Sequence, residues 1–156
     1  PESLVNNVLP LLSHELERAG VRVVYHHETP LCACLINRIQ IEQVLVNILR
    51  NAIEAMEGHD GERLLQIRSR LRPDGQWCEI DIDDSGPGIP PAHMNRLFDP
   101  FFTTKTHGMG QGLAICRSII ERHGGSLKVE PLAMGGTRFR ILLPREHRDA
   151  EASVDA

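Results

Sequence analysis

The chain has 156 residues, and 17 Lys+Arg against 21 Asp+Glu leave a formal net charge of −4. A chain of this size buries about two-thirds of the surface that its unfolded form exposes, so one domain can hold a core without a disulfide or a structural metal. With 41% hydrophobic and 24% charged residues, the composition excludes collagen, a coiled-coil rod and wholesale disorder; the weakly acidic balance and 4% aromatics argue against a nucleic-acid platform.

No apolar run approaches the roughly 20 residues of a membrane helix, and no charged-then-apolar leader opens the sequence. The expectation is a cytoplasmic domain without direct membrane contact, excised from a parent that can itself be membrane-anchored, since the chain begins at Pro1 rather than methionine. Cys32 and Cys34 form one close pair, but no second pair completes a zinc site with Cys78 and Cys116. Reduced, mostly buried thiols are expected.

From Glu2 to Ala19, apolar residues from Leu4 to Leu16 recur at helical spacing, with Gly20 as a stop and Pro10 as a kink. Val21–Tyr25 and Leu31–Leu35 read as short strands. The clearest element is a helix over Arg38–Met56, where Ile41, Val44, Leu45, Ile48, Leu49, Ala52, Ile53 and Met56 form one apolar face. Strands follow at Arg63–Leu71 and Trp77–Asp83, joined by the turn chemistry of Pro73, Asp74 and Gly75. In the second of them Cys78, Ile80 and Ile82 alternate with Glu79, Asp81 and Asp83, so only one face is expected to be covered. Then come a Gly/Pro loop over Ser85–Pro91, a short helix to Leu97, an irregular stretch to Gly110, a helix over Gly112–His123, and strands at Ser126–Glu130 and Thr137–Leu143. The domain is taken as 1–144, with a disordered tail over 145–156. This order predicts an α/β (α+β) sandwich: a mixed β-sheet covered on one face by helices.

Asn47 and Asn51 lie four residues apart on the Arg38–Met56 helix, with Glu54 further along the same edge, opposite the apolar stripe. A solvated face explains them taken alone. Functionally, an amide oxygen offers a hard cation a neutral ligand while phosphate oxygens and water fill its other positions. Asp84-Ser-Gly86-Pro-Gly88-Ile89 follows directly on a strand, where an ionised carboxylate can accept from the exocyclic amine of adenine and would repel the guanine oxygen. The plain alternative is a surface turn that starts with Asp. Asp81, Asp83, Ser85 and Gly86 imitate the opening of a calcium loop, but its twelfth position is Ala92, so calcium is rejected. Gly108-Met109-Gly110-Gln111-Gly112-Leu113 leads into a helix and can offer bare N–H groups to phosphate, although it is neither a Rossmann fingerprint nor a P-loop. Lys105 can reach a terminal phosphate if this loop folds over a nucleotide.

These signals fall in one order. The segments Asn47-Ile-Leu-Arg50-Asn51-Ala-Ile-Glu54-Ala, Asp84-Ser-Gly86-Pro-Gly88-Ile89, Leu97-Phe-Asp-Pro-Phe101-Phe-Thr-Thr104-Lys105 and Gly108-Met109-Gly110-Gln111-Gly112-Leu113 resemble the asparagine, first glycine, phenylalanine and second glycine boxes of sensor histidine kinases. Gly135-Gly136-Thr137 resembles the last glycine box. The resemblance spans the chain from its first helix to Pro144 and implies the Bergerat ATP-binding fold. It also implies ATP and Mg2+ as ligands, a histidine-bearing dimerisation domain of the same kinase as partner, a response regulator downstream, and no nucleic-acid partner.

By position, the resemblance makes Asn51 the magnesium ligand and Asn47 its neighbour at the phosphates. It gives adenine to Asp84, with Gly86, Gly88 and Ile89 around it and Thr137 helping through water. Phe101, Thr104 and Lys105 would border the phosphates, with Lys105 on the γ-phosphate. Gly108, Met109, Gly110, Gln111, Gly112 and Leu113 would form the closing lid. Gln111 stands where an aliphatic residue is usual. Glu54 stands where some relatives carry a lysine, which leaves Lys105 or Arg50 to supply that charge. Ser13-His14-Glu15-Leu16 looks like a phospho-acceptor motif, but no proline follows, so His14 is expected on a helix surface and the acceptor elsewhere. In hydrolytic relatives the position of Asn47 carries a glutamate that activates water; an amide cannot take that proton, so transfer is favoured over hydrolysis. An ATPase or serine-kinase relative and a non-catalytic nucleotide-sensing module stay open as alternatives.

Overall fold

The computed structural model describes residues 2–28, 33–99 and 112–146. The N-terminal helical stretch forms α1 (Glu2–Val8) and α2 (Ser13–Ala19), separated by a 3-10 turn at Leu9–Leu12 that contains Pro10. The kink expected from Pro10 thus becomes a break, because proline lacks the N–H that a continuous helix needs. Gly20 ends α2 in the left-handed region at φ 65°, with its N–H on the Glu17 carbonyl and that of Val21 on the Leu16 carbonyl.

β1 (Arg22–His27) leads to α3 (Arg38–Met56), whose N-cap Asn37 accepts from the Gln40 N–H at 3.2 Å. Then follow β2 (Leu64–Leu71), β3 (Trp77–Asp84), a short α4 (Pro91–Met94), α5 (Gly112–Arg122), β4 (Ser126–Pro131) and β5 (Thr137–Pro144). The strands lie in the order β1-β2-β3-β5-β4; β1 runs parallel to β2 and the other neighbours are antiparallel. The mixed sheet expected from the element order is therefore present, with α3 and α5 against one face. The strand expected at Leu31–Leu35 is not found at 33–35; residues 31 and 32 lie outside the described residues. The segment beyond β1 makes isolated bonds instead of a ladder, with Glu146 N–H on the Ala33 carbonyl and Asn37 N–H on His123 Nε2.

The core lies between α3 and the sheet. The whole predicted apolar face of α3 is at most 1% exposed, and it meets Leu65, Ile67, Ile80, Ile82, Phe139 and Ile141. Full burial of each such side chain contributes about 1.5–3 kcal/mol. Cys34 and Cys116 are free, but Cys78 is disulfide-bonded to a partner outside the described residues, which corrects the expectation of reduced thiols. The Cys78 sulfur is 4.0 Å from the Ala33 carbonyl oxygen, so the chain after β1 passes this end of β3.

The other face of the sheet also departs from the alternation pattern. Glu79 and Asp81 are 1% and 3% exposed, although they point away from the helices. Arginines on the flanking strands cover them: Arg140 grips Asp81 at 2.8 and 3.2 Å, Arg138 grips Asp83 at 2.7 and 2.7 Å, and Arg70 reaches Glu79. The pairing register places Asp81 opposite Arg140 and Asp83 opposite Arg138, which makes these cross-strand bidentate pairs. Their carboxylates are accordingly occupied by guanidinium groups.

Removing one member of such a pair leaves a covered charge unmatched, whereas removing both does not. Arg140→Leu should therefore lower stability to urea by on the order of 3 kcal/mol, and the double variant Arg140→Leu/Asp81→Val should lose clearly less. Urea denaturation of these two and of Asp81→Val completes the cycle; a double-variant loss equal to the sum of the two single losses would show that the pair is not coupled.

Candidate functional site

α3 has to bury one face, which leaves its opposite edge for other work. Along that edge stand Asn47 and Asn51, both half-buried, and the exposed Arg50 and Glu54. Arg50 is not a free cation: its guanidinium lies 3.2 Å from the Glu15 carboxylate on α2. Asn47 donates from Nδ2 to the Cys116 sulfur of α5 at 3.7 Å, which ties this edge to the neighbouring helix. His14 is exposed on α2, as its sequence context suggests.

The loop after β3 meets the last turn of α3. β3 runs one residue further than its sequence pattern indicates, and Asp84 pairs with Leu65 on one side and Thr137 on the other. Asp84 shares the parity of Ile80 and Ile82, so its side chain turns toward the helix layer, and it is 4% exposed. Its Oδ1 accepts from the Gly86 N–H at 3.0 Å, and the Thr137 N–H also donates to it. Burial pushes the carboxyl up to about 6, opposed by those two N–H groups, raised by neighbouring Asp83 and lowered by His59. This is a buried acid that ionises near neutrality and has acceptor capacity to spare.

Glycines fix the local geometry. A Cβ at Gly86 would sit 3.1 Å from the Ala55 carbonyl oxygen and 3.1 Å from Asp84 Oδ1, so the loop abuts α3 at its C-terminal turn. Gly136, at φ 100°, packs on the Asp84 carbonyl so closely that a Cβ would collide with it. Gly88, at φ 82°, faces Gly136, and Ile89 is half-buried beside it. Ser85 staples the loop to the start of β2: its Oγ accepts from the Leu64 N–H at 2.8 Å and donates to the Glu62 carbonyl at 2.6 Å.

Asn47, Arg50, Asn51 and Glu54 thus share one helix edge, while Asp84, Gly86, Gly88, Ile89 and Thr137 gather at the end of β3 against that helix's last turn. Gly112 and Leu113 open α5, where Leu113 packs partly against the core. Phe101, Thr104, Lys105, Gly108, Met109, Gly110 and Gln111 lie outside the described residues. Three contributors are given no role by the sequence reading: Gly136 and Ser85, although both stand inside the glycine boxes, and Cys116. Cys116 carries no local signal, because its contact with Asn47 exists only once α5 lies against α3.

Comparison with known proteins places this arrangement in a family. Residues 36–147 match the family described as "Histidine kinase-, DNA gyrase B-, and HSP90-like ATPase". The C4-dicarboxylate transport sensor protein DctS of Rhodobacter capsulatus is 50% identical over 117 residues, which are 74% of this chain and 18% of that protein. The chain spans between 18% and 27% of the length of the first curated relatives it matches. Among solved structures, the catalytic domain of histidine kinase ThkA superposes with a TM-score of 0.79 at 30% identity, covering 92% of this chain and 93% of that one. ThkA has also been solved in complex with the response regulator protein TrrA, with a TM-score of 0.71, 29% identity, and coverage of 93% of this chain and 40% of that one. Full-length ShkA in complex with AMPPNP superposes with a TM-score of 0.79 at 25% identity, over 96% of this chain and 31% of that one. The mixed sheet under α3 and α5 is therefore a Bergerat-type ATP-binding fold, and the chain belongs to the histidine kinase-, DNA gyrase B- and HSP90-like ATPase family, as a catalytic domain of the histidine-kinase type.

Proposed function

We propose that this domain binds Mg·ATP and passes its γ-phosphoryl group to a histidine on a separate helical dimerisation domain of the same kinase, from which a response regulator takes it. The observation that carries the reading is the edge of α3: it offers the neutral amides Asn47 and Asn51 on the helix whose last turn abuts the loop after the buried acid Asp84, with no carboxylate in place of Asn47 to activate water. The relative ThkA in its complex with a response regulator supports the downstream partner, and ShkA with AMPPNP supports the nucleotide. No described helix is long and apolar enough to cross a membrane. A cytoplasmic position for this domain, under a parent that can be membrane-anchored, belongs to the same proposal.

The chemistry asks mainly for placement and charge neutralisation. Asp84, ionised, accepts from the adenine amine while the Gly86 and Thr137 N–H groups keep its carboxylate oriented. The amide oxygen of Asn51 would hold magnesium, with Asn47 next to it; neutral ligands do not oppose the triphosphate as carboxylates would. Magnesium, when bound, would supply Lewis-acid charge at the phosphate oxygens. Arg50, already paired with Glu15, supplies little net positive charge, so Lys105 would be the cation that approaches the γ-phosphate. The acceptor imidazole is nucleophilic when neutral, so its nitrogen forms the new bond to phosphorus as the bond to the ADP oxygen breaks, without a strong base from this domain.

The acid at the end of β3 gives a pH signature. Folding raises the Asp84 pKa above its ordinary 3.8, so this group's penalty on stability accrues as pH rises from about 4 to about 6, where the unfolded chain ionises and the folded one does not. ATP needs the ionised form, so its affinity should be full above pH 7 and fall as pH drops through about 6. In Asp84→Asn that dependence should flatten, with affinity at pH 7.5 down by about 10-fold to 100-fold, the range expected for a hydrogen bond to a charged group. Nucleotide titrations between pH 5 and 8 read both effects; an unchanged profile in the variant would remove Asp84 from the site.

The transfer itself is tested with γ-labelled ATP and a separately supplied histidine-bearing dimerisation domain. Label should appear on that domain's histidine, and Asn51→Asp should disturb the magnesium dependence of ATP binding and lower the labelling rate. Release of inorganic phosphate without label on the histidine would favour the ATPase reading instead.

A further inference from the structure

Cys116 lies on the inner face of α5, 0% exposed, and touches α3 at two points. Its sulfur is 3.7 Å from Asn47 Nδ2 and 4.0 Å from the carbonyl oxygen of Val44, which precedes Asn47 by nearly one helical turn. A thiol has a single proton. With that proton directed to the Val44 carbonyl, the sulfur can only accept, and a carboxamide placed against it must present its N–H. Burial pushes the thiol up to about 11, so it keeps its proton, and with it this polarity, through the neutral range.

The consequence falls on the other half of the amide. An asparagine side chain is planar, with nitrogen and oxygen on opposite sides, so a nitrogen held by sulfur leaves Oδ1 facing away from α5. Among the described residues, no donor meets that oxygen. Without the sulfur, the amide could turn over and offer two N–H groups where an acceptor had been.

We propose that Cys116 is a positioning residue for Asn47, which fixes the flip of its carboxamide so that the oxygen, not the nitrogen, is presented on the nucleotide side of α3. This rests on the Mg·ATP reading above and adds to it the group that orients one of its amides. The competing role for Cys116 is apolar filling between two helices, which any side chain of similar volume would satisfy.

The test compares the wild-type chain with Cys116→Ser, Cys116→Ala, Asn47→Ala and the double variant Asn47→Ala/Cys116→Ala. ATP affinity is measured by calorimetry in magnesium and in EDTA, beside the Tm of each variant. Cys116→Ala should weaken binding in magnesium by about threefold to tenfold, the worth of one ordinary hydrogen bond, with affinity in EDTA unchanged. Cys116→Ser, with the same donor and acceptor capacity, should bind more tightly than Cys116→Ala whatever its Tm. In the Asn47→Ala background the Cys116→Ala change should have no further effect. A Cys116→Ala loss of the same size in EDTA, or in the Asn47→Ala background, overturns the inference, and so does a serine variant no better than alanine. If wild type binds Mg·ATP and Asn47→Ala weakens it while Cys116→Ala is silent, the inference alone fails. If wild type does not bind Mg·ATP, or Asn47→Ala leaves affinity unchanged, the site assignment fails first and takes the inference with it.

Discussion

A 19-residue helix that must bury one side is committed as to what its other side can present, and α3 is where this fold and its chemistry meet. The apolar stripe from Ile41 to Met56 fixes the rotation of the helix on the sheet to within a residue, since turning it by one position would drive Asn47 or Asn51 into the core. That rotation places the amide edge, and the last turn of the same helix supplies the Ala55 carbonyl against which Gly86 fits. The loop carrying Asp84 is thus located by packing on the element that carries the amides, and the two halves of the site cannot drift apart independently.

The electrostatic character of the two halves differs by design of the chain. On α3 the two amides are neutral and Arg50 is paired with Glu15, so Glu54 is the one carboxylate that this edge brings toward a triphosphate. At the end of β3 a single carboxylate is held nearly out of water by Thr137, Gly86 and Gly136. Its cost is partly offset by two backbone donors, and its ionisation lies close enough to neutrality for a bound amine to tip it.

Much of this was legible in the sequence. The stripe of α3, the alternation in β3 and the order of Asn, Asp and Gly segments are local patterns with fixed periods, and local periods survive folding. What escaped depends on contacts between distant segments. The open face of the sheet looked acidic, because alternation reports which side a residue faces and not what covers it; only the β3–β5 register reveals Arg138 and Arg140 over Asp83 and Asp81. The strand expected near Leu35 failed because apolar composition does not supply a neighbour to pair with. The disulfide at Cys78 and the contact of Cys116 with Asn47 are likewise invisible until strands and helices are laid side by side. The tail was expected to part from the domain at Arg145, yet the backbones of Arg145 and Glu146 still bond to Gln76 and Ala33.

The layer of guanidinium over carboxylate on the helix-free face has a thermal consequence. Hydration of charged groups becomes less favourable on warming, so taking these ions partly out of water costs less at higher temperature, while the gain from apolar contact levels off. As the chain is heated toward melting, relative weight shifts from the oily side of the sheet to its ionic side. The strands that end at Asp84 and begin at Thr137 are then held increasingly by arginine, so the Asp84 end of β3 should be among the last parts of the sheet to loosen.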